Sequence, residues 1–122
     1  MKKKFKNKIG ILGGSFDPAH KGHLKISIEA KKKFKINKII WAITKKNPFK
    51  TKSLFNIKER IEKGKKITKR YDYISVNCYE DKIRSNKTID LIKYLKIKNS
   101  KSEIFFLMGA DNLINYHKWH KW

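Results

Sequence analysis

The string GGSFDPAHKGHL, residues 13–24, limits this chain more than any other stretch, because it joins a short apolar run, residues 9–12, to a segment with helical spacing. It reads as the turn between a first strand and a first helix. Its two glycines open backbone dihedrals closed to other residues and let a ligand approach the main chain. A helix N-terminus adds unpaired N–H groups and a partial positive charge. Together these make a phosphate site. Asp17-Pro18 stiffens the turn, since proline fixes its own φ and pushes Asp17 toward an extended conformation. His20 and His23 bring two imidazoles able to donate to phosphoryl oxygens, more strongly when protonated. Two glycines and two surface histidines alone would also suit an ordinary strand-to-helix turn.

Downstream, the chain repeats strand and helix. In residues 21–35, Leu24 and Ile28, then Ile26, Ala30 and Phe34, recur at spacings of four and predict one broad buried face, with Lys25, Glu29 and Lys33 outward. Residues 38–44, KIIWAIT, form a continuous apolar run rich in β-branched side chains, as in a strand covered on both faces. A right-handed parallel βαβ unit follows. The loop 45–52 would then leave the carboxyl edge of the sheet, where ligands of open α/β sheets bind. Asn47 is thereby placed within reach of substrate, although Asn47-Pro48 also reads as a turn initiator.

Asn56-x-x-Glu59 resembles a capping box and predicts a helix to about residue 70, with Arg60 on it in a solvated or structural role. Residues 73–76 predict a third strand and 77–87 a polar loop. Thr88 is expected to cap a helix with Asp90 in its first turn and Ile89, Ile92 and Leu95 on its buried face. Residues 103–108, EIFFLM, predict a fourth strand, after which Gly109 allows a close backbone approach and Asp111 caps another helix. The fold expected is α/β, a Rossmann-like parallel sheet with helices on both faces, in a single domain over 1–122.

The string GSFDPAHKGH resembles the signature of the nucleotidyltransferase superfamily with the HxGH motif, and the form with Pro18 and His20 is similar to bacterial nicotinate-nucleotide adenylyltransferases. GADNLINYHKWHKW, residues 109–122, resembles that family's second diagnostic block. The resemblance covers nearly the whole chain. It implies transfer of AMP from ATP to nicotinate mononucleotide, giving nicotinate adenine dinucleotide and pyrophosphate in NAD biosynthesis. His20 and His23 would be catalytic. Gly13, Gly14, Ser15, Phe16, Gly109 and Asp111 would complete the ATP site with the histidines, and Asn47, Thr88 and Trp119 would hold the mononucleotide. An electron-poor pyridinium over the Trp119 indole is physically reasonable, although core anchoring is the bland reading of Trp119 and Trp122. Magnesium would come bound with ATP, and no protein metal site is expected. A Ser/Thr-rich phosphate-binding segment and a last strand and helices of the family have no counterpart here, so the resemblance implies a C-terminally truncated domain whose activity is open. Arg60 resembles an arginine common in the family, beside its solvated or structural reading. Lys87, Thr88, Ile89, Asp90 and Leu91 stand where the family often reads Tyr-Thr-x-Asp-Thr.

Charge supplies the main rival. The chain carries 32 Lys and Arg against 10 Asp and Glu, a net +22, which suits an anionic partner. Arginine stands only at 60, 70 and 84, however, and the lysines are scattered among isoleucines and asparagines in the manner of an AT-rich genome. Nucleic acid is therefore not expected as a specific partner. Three alternatives stay open: another HxGH adenylyl or cytidylyl transferase such as phosphopantetheine adenylyltransferase, an inactive basic fragment that binds polyanions, and a metal shared by the H-x-x-H pairs His20/His23 and His117/His120, which lack a cysteine or carboxylate at matching spacing. The single Cys78 agrees with a reducing cytoplasm. Long apolar segments and a signal-peptide core are absent from the sequence, so a cytoplasmic protein without membrane association is expected.

Overall fold

The computed structural model describes residues 7–45, 55–85 and 87–107, with only the backbone of Thr88. The elements run β1 (Asn7–Gly14), α1 (Lys21–Phe34), β2 (Lys38–Ile43), α2 (Ile57–Ile67), β3 (Ile74–Asn77), α3 (Glu80–Ile83), α4 (Thr88–Lys98) and β4 (Ser102–Leu107). The strands form one parallel sheet in the order β3-β2-β1-β4. The chain thus steps outward from β1 through β2 to β3, then crosses to the other side of β1. That reversal puts a switch point at the carboxyl ends of β1 and β4, where open α/β sheets bind ligands.

Strand periodicity separates two cores. Leu12, Ile39, Trp41, Ile43, Val76 and Leu107 point to the face covered by α1 and α2. Ile9, Ile11, Ile40 and Ala42 point to the other, covered by Leu91, Tyr94 and Leu95 of α4. Helices therefore lie on both faces, as the sequence predicts. The asparagine box at α2 is present: Asn56 Oδ1 accepts the Glu59 N–H at 2.8 Å, and Glu59 Oε1 reaches back to the Asn56 N–H.

Four local expectations are corrected. β1 continues through Gly13 and Gly14, which pair with Ala42 and Ile43, and no described glycine has a positive φ. The left-handed residue of the turn is Phe16, at φ 49°. Residues 77–87 contain the short helix α3 rather than a continuous loop. Thr88 opens α4 instead of capping it, the N-cap being Lys87 without a side-chain bond. Ser85 serves that end, its Oγ accepting the Lys87 N–H and donating to Asp90. Finally, Phe34 is 42% exposed. The buried stripe of α1 passes instead through Ser27 and Ala30.

Candidate active site

The start of α1 is capped by imidazoles. His20 is the N-cap in extended backbone, its Nδ1 accepting the Gly22 N–H at 3.0 Å, while His23 Nδ1 accepts the His20 N–H at 3.0 Å. The geometry is that of a capping box, with rings in place of the usual hydroxyl and carboxylate. It also fixes proton positions. Because each Nδ1 is an acceptor, the proton of a neutral ring sits on Nε2, so both rings present an Nε2–H donor. Gly22 is required by this arrangement: a Cβ there would stand 2.7 Å from His20 Cε1 and 2.9 Å from Nδ1, and would push the ring out of the cap.

Beneath the cap the packing is dense. Phe16, His23 and Trp41 form a triangle of rings, with centroids 4.3 Å (Phe16–His23), 5.1 Å (Phe16–Trp41) and 5.8 Å (His23–Trp41) apart. Trp41 Nε1–H donates to Ser27 Oγ at 2.8 Å, and Ser27 donates to the His23 carbonyl at 2.9 Å. A buried relay thus runs from the central strand β2 to the backbone of the second histidine. Asp17, 8% exposed, accepts the Phe55 N–H at 2.8 Å and ties the turn to the entry of α2.

Arg60 is 2% exposed and reaches under the same turn. Its Nη1 donates to the carbonyls of Ser15 (3.0 Å) and Thr44 (2.7 Å), and its Nη2 to that of Lys45 (2.5 Å). This burial excludes the solvated reading of Arg60.

The other side of the β1–β2 edge is open. A narrow cleft with about 30 Å³ of room is floored by Gly13, Gly14 and Ala42 and walled by Tyr79, Glu80, Lys87, Leu91 and Phe106. Here glycine matters for its size: a Cβ on Gly13 would meet Phe106 at 3.6 Å, an ordinary contact, so the missing side chain leaves room. Glu80 Oε1 accepts the Lys45 N–H at 3.0 Å, and its buried Oε2 has no hydrogen-bond partner. Lys45 also pairs with Asp81, and this bond raises the lysine pKa. Burial pushes the Tyr79 phenol and the Cys78 thiol up.

Of the residues singled out in the sequence, Gly13, Gly14, Ser15, Phe16, His20 and His23 are gathered at one sheet edge. Asn47, Gly109, Asp111 and Trp119 lie outside the described residues, as does the Thr88 side chain. Gly22, Ser27, Trp41 and Glu80 are not part of the site as the sequence reads. A signal existed for Gly22, which stands between the histidines, and for Arg60, which resembles an arginine common in the family.

A helix N-terminus prepared with Nε2–H donors, beside the switch point of a doubly wound sheet, is the arrangement of a nucleotide-binding α/β protein. Residues 11–122 match the cytidylyltransferase-like family, and the chain belongs to it. Within that family its relatives are specific. It is 62% identical over 117 residues to a probable nicotinate-nucleotide adenylyltransferase of Pelagibacter ubique, covering 96% of this chain and 64% of the relative. A protein of the same description from Bradyrhizobium sp. (strain ORS 278) is 37% identical over 116 residues, covering 94% of this chain and 60% of the relative. Among solved structures, the nicotinic acid mononucleotide adenylyltransferase of Plasmodium falciparum complexed with NaAD superposes with a TM-score of 0.75 at 22% identity, over 94% of this chain and 58% of that one. The fold is therefore that of the nucleotidyltransferases. The chain spans under two thirds of the length of these curated relatives.

Proposed function

We propose that residues 1–122 form the nucleotide-binding part of one nucleotidyltransferase domain that transfers AMP from ATP to nicotinate mononucleotide, releasing pyrophosphate and forming nicotinate adenine dinucleotide. The observation that carries this reading is the double imidazole cap, which places His20 and His23 at a helix N-terminus, where phosphate is already favoured. Relatives at 62% and 37% identity described as nicotinate-nucleotide adenylyltransferases support the choice of acceptor.

In the reaction, a phosphate oxygen of the mononucleotide attacks the α-phosphorus of ATP in line, forming one P–O bond as the bond to the β-phosphate bridging oxygen breaks. No covalent enzyme intermediate is needed. The protein's task is positioning and stabilisation of charge. His20 and His23 donate from Nε2 to oxygens of the α- and β-phosphates, and the backbone N–H groups of residues 14–16 and of the start of α1 hold the remaining ones. Asn47, Thr88 and Trp119 hold the acceptor, and Gly13 and Gly14 lie with Gly109 and Asp111 on the nucleotide side.

Among the described residues, no group of three or more His, Cys, Asp and Glu side chains could hold a metal ion. Magnesium would come bound with ATP and would shield the charge of the leaving pyrophosphate. Among the described residues no helix is long and apolar enough to cross a membrane. The cytoplasm is the proposed location, since the reaction draws on soluble nucleotides.

The test is pyrophosphate release by the chain with magnesium and ATP, offering nicotinate mononucleotide, nicotinamide mononucleotide and phosphopantetheine separately, and CTP in place of ATP. Turnover with ATP and the nicotinate form is expected. Preference for another acceptor or for CTP overturns the substrate assignment, and silence throughout from folded protein overturns the activity for this chain.

A further inference from the structure

Arg60 is a buried cation whose described acceptors are all backbone carbonyl oxygens, and its Nε is buried without a hydrogen-bond partner. Burying a guanidinium is costly unless it is well hydrogen-bonded. A residue needed only to fill this space would be aliphatic.

What the fork does is set by peptide geometry. A trans peptide is planar, so its C=O and N–H point in opposite directions. The Thr44–Lys45 peptide shows the consequence: its carbonyl meets Arg60, and its N–H points the other way to Glu80 Oε1. In the Ser15–Phe16 peptide the carbonyl likewise meets Arg60. The Phe16 N–H must then point away from the core, and no described residue accepts it. Phe16 is held there at φ 49°, a conformation a bulky side chain adopts only under constraint.

We propose that Arg60 is a positioning residue of the nucleotidyl-transfer site: by holding the carbonyls of Ser15, Thr44 and Lys45 it turns the Phe16 N–H toward the phosphates and fixes that donor relative to the start of the loop that leaves β2. The proposal rests on the reading of the site given above. It concerns a residue that touches no substrate.

The test compares the parent with Arg60→Lys, which keeps the charge but loses the planar fork, and with Arg70→Lys, a change at an exposed arginine. Two quantities are read. The first is the three-bond H–N–Cα–H coupling of Phe16, which reports its φ without substrate. The second is the shift of the Phe16 amide on titration with magnesium-ATP. In the parent the coupling reports a left-handed Phe16, and the amide moves on titration. In folded Arg60→Lys the coupling changes and ATP affinity falls at least about tenfold, while Arg70→Lys matches the parent. A lysine variant with lower thermal stability but unchanged coupling and affinity overturns the proposal, because that is what a merely structural arginine would give. If ATP leaves even the parent unmoved, the activity reading fails, and the coupling still decides whether Arg60 sets Phe16. Should the lysine variant not fold, the parent suffices: the Arg60 Nη–H resonances are expected to shift along with the Phe16 amide during the titration, and a Phe16 shift with unmoved guanidinium signals overturns the coupling between them.

Discussion

The two sides of the β1–β2 carboxyl edge are made by the same strands and are opposite in character. On the α1/α2 side, Trp41, Phe16, Ser27 and Arg60 are buried, and every described polar atom among these side chains except Arg60 Nε has a partner. On the α4 side, one residue further along the strand, Ala42 joins Gly13 and Gly14 in the floor of a cleft, and the Oε2 of Glu80 stays unsatisfied. Alternation along a strand sends neighbours to opposite faces, so Trp41 and Ala42 divide the tasks of support and space. A phosphate-binding turn needs rigidity beneath it, and a substrate needs volume beside it.

The strongest way to break this contrast is to empty the filled side. Trp41→Ala is expected to cost about 3–5 kcal/mol, the range for a buried aromatic truncated to alanine, enough to leave much of a marginal domain unfolded. Trp41→Phe keeps ring packing and loses the bond to Ser27 Oγ, for about 1 kcal/mol. Chemical denaturation of both variants checks the difference. Equal losses would mean that ring volume at this position matters less than the relay to His23.

His23→Ala acts where the filled side reaches the ligand. It removes a ring packed on Phe16 and the acceptor for the His20 N–H, with a stability loss of about 1 kcal/mol, typical of a cap. The loss of a preorganised donor should reduce turnover about 10²–10³-fold, read by pyrophosphate release. A rate equal to the parent's would remove His23 from the reaction and leave it as a helix cap.

The contrast was only half legible in the sequence. Periodicity and the continuous run around Trp41 were enough to predict the parallel sheet, the order of the larger elements and the helices on both faces, because burial on two faces leaves few polar positions to misread. The motif drew attention to residues 13–16, His20 and His23, and these do meet. Trp41 and Ser27 were not legible as parts of the site, and neither was what Arg60 holds, since their roles arise from contacts across 14 to 45 positions of chain. The glycines were legible for the wrong reason. The value of Gly13 lies in the volume it leaves beside Phe106, whereas the left-handed backbone falls on Phe16. Likewise Thr88 looked like a cap because hydroxyls favour that position, whereas Ser85 and Asp90 take over the helix start.

The open side is probed by Gly13→Ala. A Cβ at Gly13 meets only Phe106 ring carbons at 3.6 Å, and Gly13 lies in regular strand backbone, so folding stability should hold or rise by up to about 1 kcal/mol. The methyl nevertheless projects into the cleft floor beside the phosphate-binding turn, and the KM for ATP should rise about tenfold. A variant both stable and unchanged toward ATP would remove Gly13 from the nucleotide site.

The smallest effect is expected from pH, at the wall of the same cleft. Burial raises the pKa values of Cys78 and Tyr79 above their ordinary values of 9.0 and 10.0. The folded chain then keeps protons that the unfolded chain has released, so their contribution to stability is complete below pH 9 and is lost as pH rises through the folded-state values. Denaturation midpoints should therefore fall as pH rises above about 9, and Cys78→Ala should flatten the lower part of that decline. Lys45 contributes in the same direction, since its bond to Asp81 raises its pKa, but both partners are open to solvent and the effect should be small. Occupancy provides the sharper form of the test. If the acceptor fills the space beside Tyr79, bound ligand should steepen the alkaline decline, because it excludes more water from the phenol. A decline that is the same with and without saturating acceptor would show that Tyr79 belongs to the rigid wall of the cleft and makes no contact with what the cleft holds.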